Sequence, residues 1–140
     1  PLAKAMMQRR DGHIAIVSSV AGYSGLPTAA AYGASKAALI NMAEALKIDL
    51  EPFDIRVSLV NPGFVRTPLT DKNEFPMPFL MEVEPAAARM ISGLLEKSGF
   101  EVTFPRRFTY MLKFLRILPY SIYFALTRRA TKPASKPASK

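Results

Sequence analysis

Short apolar, β-branched runs alternate with stretches of helical spacing along the first 104 residues, and this alternation limits the folds open to the chain. Runs of strand length cover residues 13–17, 55–60 and 100–104. Helices are predicted over residues 1–10, 29–50 and 85–98, where Gly or Pro residues mark the ends. A helix–strand alternation of this kind predicts βαβ units, and hence an α/β fold with a parallel sheet.

Polar, turn-forming residues follow the first two predicted strands. Ser18 and Ser19 come after the run at 13–17, and Asn61-Pro62-Gly63 comes after the run at 55–60. Because ligands of open α/β sheets bind outside the carboxyl ends of the strands, these two segments are expected to lie at one functional edge.

Tyr32 and Lys36 lie four residues apart near the start of the long predicted helix, so both side chains should share one face. An ammonium group near a phenol favours the phenolate, which would help Tyr32 to give or take a proton near neutral pH. A hydroxyl at Ser19 could hold a carbonyl oxygen beside it. The alternative interpretation is a solvated helix face and ordinary turn residues.

Three segments, taken in order, share the residues and spacing of one enzyme family. They are Val17-Ser18-Ser19-Val20-Ala21-Gly22, Tyr32-Gly33-Ala34-Ser35-Lys36 and Val60-Asn61-Pro62-Gly63-Phe64-Val65-Arg66-Thr67. They resemble the short-chain dehydrogenase/reductase family, which has Tyr-x-x-x-Lys, a Ser thirteen residues earlier, and Pro-Gly-x-x-x-Thr after the next strand. That spacing selects Ser19 over Ser18. The resemblance covers about residues 1–104 and implies the C-terminal part of a Rossmann-like doubly wound parallel sheet.

The resemblance also implies a catalytic role for three residues. Tyr32 would be the proton donor or acceptor, Lys36 would promote its ionisation and hold the nicotinamide ribose, and Ser19 would orient the substrate oxygen. The expected function is therefore an NAD(P)-dependent oxidoreductase that interconverts a small-molecule carbonyl and a secondary alcohol. A lipid-like substrate and a homo-oligomeric full-length form are further expectations.

Several residues are expected to border the cofactor, NAD or NADP, with the choice between the two left open. By resemblance they are Tyr32, Lys36, Pro62, Gly63, Val65 and Thr67. No segment of the chain matches the family's Thr-Gly-x-x-x-Gly-x-Gly turn, whose backbone cradles the pyrophosphate. The chain is therefore expected to be a fragment that does not bind the cofactor tightly or turn over by itself.

Charge divides the chain at residue 104. Residues 1–104 contain ten Lys/Arg and eleven Asp/Glu, whereas residues 105–140 contain nine Lys/Arg and no acid, which together give the net charge of +8. Because the excess of positive charge is confined to residues 105–140, a nucleic-acid partner for the whole chain is not expected. We predict three regions: the family domain at 1–104, a basic amphipathic helical extension at 105–129, and a disordered basic tail at 130–140.

The composition excludes several kinds of functional site. The chain has no cysteine and a single histidine, His13, so disulfides, thiol nucleophiles and multi-histidine metal sites are excluded. A cytoplasmic location fits this composition, and no metal is expected. The resemblance gives His13 no role, and we interpret it as a structural residue with its hydrogen bonds satisfied.

The extension at 105–129 is predicted to be helical and bent at Pro119. Its polar stripe would consist of Thr109, Lys113, Arg116, Tyr120, Tyr123 and Thr127, with an apolar set of Met111, Leu112, Phe114, Leu115, Leu118, Ile122 and Leu126. Such a helix suits peripheral binding to an anionic membrane surface. A lid over the substrate pocket and a subunit interface remain alternatives.

Two other functions remain open. Nucleotide-sugar epimerases and dehydratases of related fold also carry Tyr-x-x-x-Lys, although the spacing of Ser19 and of Pro62-Gly63 to Thr67 favours simple reductases. A non-catalytic interaction or membrane-surface protein is the alternative from a different class, and a cofactor titration would separate it from both enzymes.

Overall fold

A parallel sheet of three strands forms the centre of the protein, and the computed structural model describes residues 1–68, 70–72, 77–96 and 99–130. The strands are β1 (Gly12–Val17), β2 (Ile55–Pro62) and β3 (Glu101–Phe104), in the order β1-β2-β3. The helices are α1 (Leu2–Arg9), α2 (Ala30–Leu50), α3 (Val83–Leu95), α4 (Arg106–Arg116) and α5 (Tyr120–Ala130). The predicted α/β class and parallel sheet are confirmed.

Strand β2 lies in the middle of the sheet and contributes most of its buried residues. Its pairing with β1 runs from Gly12 opposite Ile55 to Val17 opposite Val60. Its pairing with β3 runs to Asn61 opposite Thr103 and Pro62 opposite Phe104. The strand therefore continues two residues beyond its predicted end at position 60, because β3 supplies partners for Asn61 and Pro62.

Helices cover both faces of this sheet, because consecutive apolar residues of β2 point to opposite faces and both are buried. On one face, Leu59 packs in a core cluster with Ile40 and Ala43 of α2. On the other face, Val60 packs with Ala86 of α3. The sheet is thus doubly wound, with helices packed on both of its faces.

The helix boundaries follow the proline positions closely. Helix α2 ends at Leu50, as predicted, because Pro52 follows within a single 3₁₀ turn. Helix α3 begins at Val83, two residues before the predicted start, since Pro85 is tolerated in a first turn where backbone N–H groups need no intrahelical partner. Its predicted end at residue 98 lies outside the described residues.

The extension predicted at 105–129 forms two helices with Pro119 between them. Helix α4 follows directly after β3 and turns back onto the sheet. Its Phe108 and Leu112 join the core cluster that contains Ile16 and Leu59. Within the described ranges no helix is long and apolar enough to cross a bilayer. The tail predicted at 130–140 lies outside the described residues beyond Ala130.

The predicted polar stripe of the extension was wrong in part. Thr109 and Tyr123 are buried rather than solvated, whereas Met111 and Phe114 from the predicted apolar set are exposed. The reason is that both hydroxyl groups find partners inside the protein. Thr109 Oγ1 lies 2.5 Å from Thr103 Oγ1, and the other hydroxyl donates to a backbone carbonyl.

Candidate active site

The end of β1 meets the end of β2 through the side chain of Ser19. Ser19 caps the single 3₁₀ turn Val20–Gly22, where its Oγ accepts a hydrogen bond of 3.2 Å from the backbone N–H of Ala21. The same hydroxyl donates to the carbonyl of Pro62 at 3.5 Å. The two polar segments predicted to share one edge of the sheet are therefore neighbours.

Tyr32 and Lys36 lie on the first two turns of α2, above the end of β1. The Nζ of Lys36 lies 5.6 Å from the centroid of the Tyr32 ring and donates to the carbonyl of Val17 at 3.4 Å. The Tyr32 side chain is 54% exposed. The structure thus brings Tyr32, Lys36 and the end of β1 together, and leaves the phenol accessible from solvent.

Two glycines let α2 lie close to the segment that follows β1. A Cβ on Gly22 would lie 2.7 Å from the backbone carbon of Lys36, and a Cβ on Gly33 would lie 3.1 Å from the carbonyl oxygen of Ala21. Ser18 stabilises this contact between α2 and the segment after β1, since its Oγ donates to the backbone carbonyl of Lys36 at 2.7 Å. Ser18 therefore has a structural partner, whereas the longer bond of Ser19 is easily exchanged.

The loop after β2 holds the remaining predicted residues, and it has contacts of its own. The N–H of Gly63 donates to Phe104 at 2.8 Å, and a Cβ there would lie 3.1 Å from the Cδ of Pro105. Val65 forms a parallel bridge with Met81. These contacts place Gly63 against the start of α4 rather than against Tyr32.

Thr67 pairs with Thr70, a residue that the sequence patterns did not single out. The N–H of Thr67 donates to Thr70 Oγ1 at 2.8 Å, and the two hydroxyl oxygens lie 3.2 Å apart. Thr70 Oγ1 also donates to the carbonyl of Val65 at 2.8 Å. Thr70 therefore fixes the backbone of two predicted cofactor contacts in this loop, Val65 and Thr67. In the sequence, the only indication of this role is its position three residues after Thr67.

A carboxylate on β3 collects three donors beside the candidate site, and sequence analysis missed it. Glu101 Oε1 accepts from the hydroxyl of Tyr23 at 2.5 Å and from Asn61 Nδ2 at 2.6 Å, while Oε2 pairs with Lys113. In the sequence, the only indication of this role is that Glu101 is an acidic residue at the start of a short apolar strand. We call these four residues the Glu101 cluster.

The electrostatics of the Glu101 cluster follow from its partial burial. Burial opposes ionisation of Glu101, but the hydrogen bonds from Lys113, Tyr23 and Asn61 outweigh it and hold the pKa of that carboxyl below its usual value. Burial, followed by the bond to Glu101, raises the pKa of Tyr23 well above its usual range. The carboxylate therefore stays charged and the phenol neutral near pH 7.

His13 has two partners, as its structural interpretation required. Its Nδ1 lies 2.7 Å from an Arg56 nitrogen and its Nε2 lies 2.9 Å from Ser58 Oγ. Because a guanidinium can only donate, Nδ1 is the acceptor and Nε2 carries the proton. Burial, with repulsion from Arg56, lowers the pKa of His13 below 6.5, so the imidazole is neutral at pH 7.

Comparison with known proteins connects this edge of the sheet to one family. The family model for short chain dehydrogenases matches residues 1–76, which include the serine, tyrosine, lysine and Pro-Gly segments described above. This chain is a short chain dehydrogenase family member. Membership agrees with the parallel, doubly wound sheet.

Relatives within the short chain dehydrogenase family cover different lengths of the chain. It is 42% identical over 124 residues to an uncharacterized oxidoreductase of Myxococcus xanthus, a match that covers 89% of this chain and 49% of that protein. A cyclopentanol dehydrogenase of Comamonas sp. is 46% identical over 67 residues, covering 48% of this chain and 27% of that enzyme.

A solved structure supports the same assignment to the family. A short chain dehydrogenase from Burkholderia cenocepacia, in complex with NADP, superposes with a TM-score of 0.72 at 27% identity, over 94% of this chain and 52% of that one. The chain thus spans about half the length of the Myxococcus and Burkholderia proteins.

Proposed function

We propose that the whole protein containing this chain is an NAD(P)-dependent oxidoreductase that interconverts a small-molecule carbonyl and a secondary alcohol. The observation that carries the proposal is the position of the Lys36 amine over the Tyr32 ring, at the sheet edge where Ser19 joins the ends of β1 and β2. An acid–base residue, a cation and a hydroxyl donor on one edge can supply the proton and the charge stabilisation of a carbonyl reduction, with the hydride coming from the cofactor.

Tyr32 is proposed to transfer the proton. Its exposed phenol can reach a substrate oxygen from the solvent side, giving up its proton in reduction and taking one back in alcohol oxidation. The positive charge of Lys36 nearby stabilises the phenolate that remains after the proton has left.

Ser19 is proposed to hold the substrate oxygen next to Tyr32. Its bond to the Pro62 carbonyl is at the outer limit of hydrogen-bond length, so its proton can turn to a substrate oxygen at little cost. Its acceptor bond from Ala21 keeps the oxygen in place meanwhile. A fixed donor of this kind stabilises negative charge as it develops on the carbonyl.

The residues on this edge fit a nicotinamide cofactor, which supplies or accepts the hydride when it is bound. Lys36 makes one long contact, to Val17, and keeps donor capacity for a ribose hydroxyl. The Thr70 proton is directed to backbone carbonyls, so the Thr67 hydroxyl can turn its own proton towards a phosphate. Pro62, Gly63 and Val65 would form the wall beside the nicotinamide, in the loop that Thr70 fixes.

The substrate class is supported by a relative. The matched Comamonas enzyme is named for the dehydrogenation of cyclopentanol, a secondary alcohol on an apolar ring. We propose the same class of functional group here, with an apolar rather than a highly charged substrate.

A cofactor titration and one substitution test the proposal. Calorimetry should show NADH or NADPH binding to the whole protein, and much weaker binding to the 140-residue chain, which has no Gly-rich phosphate turn. In the whole protein, Tyr32→Phe should lower turnover roughly 10²–10⁴-fold and leave cofactor affinity intact, because only the transferable proton is lost.

Tyr110→Phe is the matched control, since it removes the hydroxyl of another exposed tyrosine, on α4. Wild-type turnover in Tyr32→Phe would show that the mechanism is wrong. Failure of the whole protein to bind either cofactor would favour the non-catalytic alternative.

A further inference from the structure

Helices α4 and α5 carry an unusual concentration of exposed apolar side chains. Of the seventeen large apolar residues that are exposed in the described ranges, seven lie on these two helices and an eighth lies between them. They are Tyr110, Met111, Phe114, Ile117, Tyr120, Ile122, Phe124 and Leu126, and we call them the α4–α5 apolar surface. A cluster of this size on one terminal segment indicates an interaction surface.

The opposite side of these helices is fixed to the protein, so the apolar surface is held facing outward. Phe108 and Leu112 anchor α4 in the core. Tyr123 anchors α5, since it is only 5% exposed and its hydroxyl donates to the carbonyl of Gly25 at 2.6 Å. Tyr120 and Phe124 stack on the outer side with ring centroids 5.7 Å apart. The helices therefore cannot bury the apolar surface without giving up these contacts.

Exposed positive charge surrounds the apolar surface. Five arginines on these helices are exposed: Arg106, Arg107, Arg116, Arg128 and Arg129. The ion pairs seen in the described part of the chain use other cations, among them Lys113 with Glu101. Residues 105–140 contain no acidic residue at all. The partner of this surface must therefore be both apolar and anionic.

We propose that the α4–α5 apolar surface binds an anionic membrane surface, lying in the lipid interface without crossing the bilayer. Apolar side chains enter the boundary between headgroups and acyl chains, and the arginines remain at the level of the phosphates. Tyr110 and Tyr120 suit the border, because a tyrosine has an apolar ring and a polar tip.

The charge pattern favours a lipid over a second copy of the chain. Two copies related by a twofold axis would bring the same five arginines of each copy against one another, which costs free energy. The aliphatic residues Met111, Ile117 and Ile122 also distinguish the surface from a nucleic-acid site, where bases stack on aromatic rings. A lid would need these side chains to pack over the edge that carries Tyr32, whereas they are exposed in the part of the protein that the structure describes.

Vesicle flotation of the whole protein tests this proposal. At low salt the protein should float with vesicles of phosphatidylglycerol and phosphatidylcholine, and much less with phosphatidylcholine alone. High salt should weaken the binding, because the Debye length shrinks from about 30 Å at 0.01 M to about 3 Å at 1 M. Changing Arg128→Gln and Arg129→Gln together should weaken binding to the anionic vesicles about 25-fold, at about fivefold for each arginine.

A matched pair of variants separates the apolar contribution from a general loss of hydrophobic surface. Changing Phe114→Ser and Ile117→Ser removes two exposed residues of the α4–α5 apolar surface and should abolish flotation. Ile48→Ser removes an equally exposed residue, 72% against 76% for Ile117, from α2, outside the α4–α5 apolar surface, and should leave flotation unchanged. Point substitutions are preferable to removing residues 105–129, since that would take Phe108 and Leu112 out of the core.

The proposal is overturned by three outcomes. One is the absence of flotation at low salt, and another is equal binding to anionic and neutral vesicles. The third is self-association of the wild-type protein that Phe114→Ser with Ile117→Ser abolishes while vesicle binding is unaffected, which would assign the surface to a second copy. Circular dichroism of each variant confirms that the fold is retained.

Discussion

Tyr23 donates a 2.5 Å hydrogen bond to Glu101, a residue 78 positions later in the chain. Tyr23 follows the 3₁₀ turn that Ser19 caps, and Glu101 begins β3. The same carboxylate also holds Asn61 at the end of β2 and Lys113 on α4. One side chain thus ties the candidate active edge to the first of the two terminal helices.

Glu101→Gln should lower the free energy of unfolding by about 1–3 kcal/mol, because the charged acceptor of the Glu101 cluster is lost while its donors stay partly buried. Chemical denaturation measures the change. Glu51→Gln is the control: Glu51 pairs with Lys47 in a largely exposed ion pair, whose loss should cost less than about 1 kcal/mol. Equal effects of the two substitutions would show that the cluster adds no more than a surface pair.

The two adjacent serines should respond differently to loss of their hydroxyls. Ser19→Ala should lower kcat of the whole protein by roughly 10²-fold, because a donor to the substrate oxygen is lost. Ser18→Ala should instead cost about 1 kcal/mol of stability, through its bond to the Lys36 carbonyl, with turnover changed only a few fold. Steady-state kinetics and chemical denaturation of both variants measure these two effects. A larger loss of kcat in Ser18→Ala than in Ser19→Ala would assign the catalytic role to Ser18 instead.

The free energy of unfolding should decrease as the pH falls through the range in which His13 titrates. The folded protein favours the neutral imidazole, since burial and Arg56 lower the pKa of His13 below 6.5. The unfolded chain therefore binds more protons between the two pKa values, so stability is complete above pH 6.5 and is lost as the pH falls below it. Glu101 adds a second loss at lower pH, below its ordinary pKa of 4.5, because its folded pKa is also depressed.

Urea unfolding from about pH 8 to pH 5 tests the histidine contribution, with His13→Gln as the comparison. The variant should be less stable than the wild type at neutral pH and should show a flatter pH dependence. Parallel pH curves for the two proteins would contradict the assignment to His13.

Gly93 should not tolerate a side chain, because α3 packs directly on β3 there. A Cβ at this position would lie 2.4 Å from Cγ1 of Val102. Gly93→Ala is therefore expected to cost about 1–3 kcal/mol through overpacking, in spite of the better helix propensity of alanine. Gly25→Ala is the matched control, since nothing lies within 4 Å of its added Cβ. Thermal unfolding of both variants measures the difference, and a stabilised Gly93→Ala would show that α3 can move away.

Local features of the sequence determined the strands, the helices and the placement of the candidate site. Strand-length apolar runs predicted all three strands, and the spacing of Tyr32 and Lys36 predicted one shared helix face, which the structure confirms. Proline positions predicted the end of α2 and the break before α5. These features are decided within a few residues by backbone geometry and periodicity, so the sequence alone carries them.

Only the tertiary structure decided which polar residues are buried and which apolar ones are not. Helical spacing placed Thr109 and Tyr123 on a solvated stripe, yet their hydroxyls bond to Thr103 and to the Gly25 carbonyl. The partners of Glu101 could not be predicted from the sequence either, since Tyr23 and Asn61 lie 78 and 40 positions away from it in the chain. Burial of a polar group costs free energy unless a hydrogen bond offsets it, and here the hydrogen-bond partner comes from a distant part of the chain. A local sequence pattern does not identify such a partner.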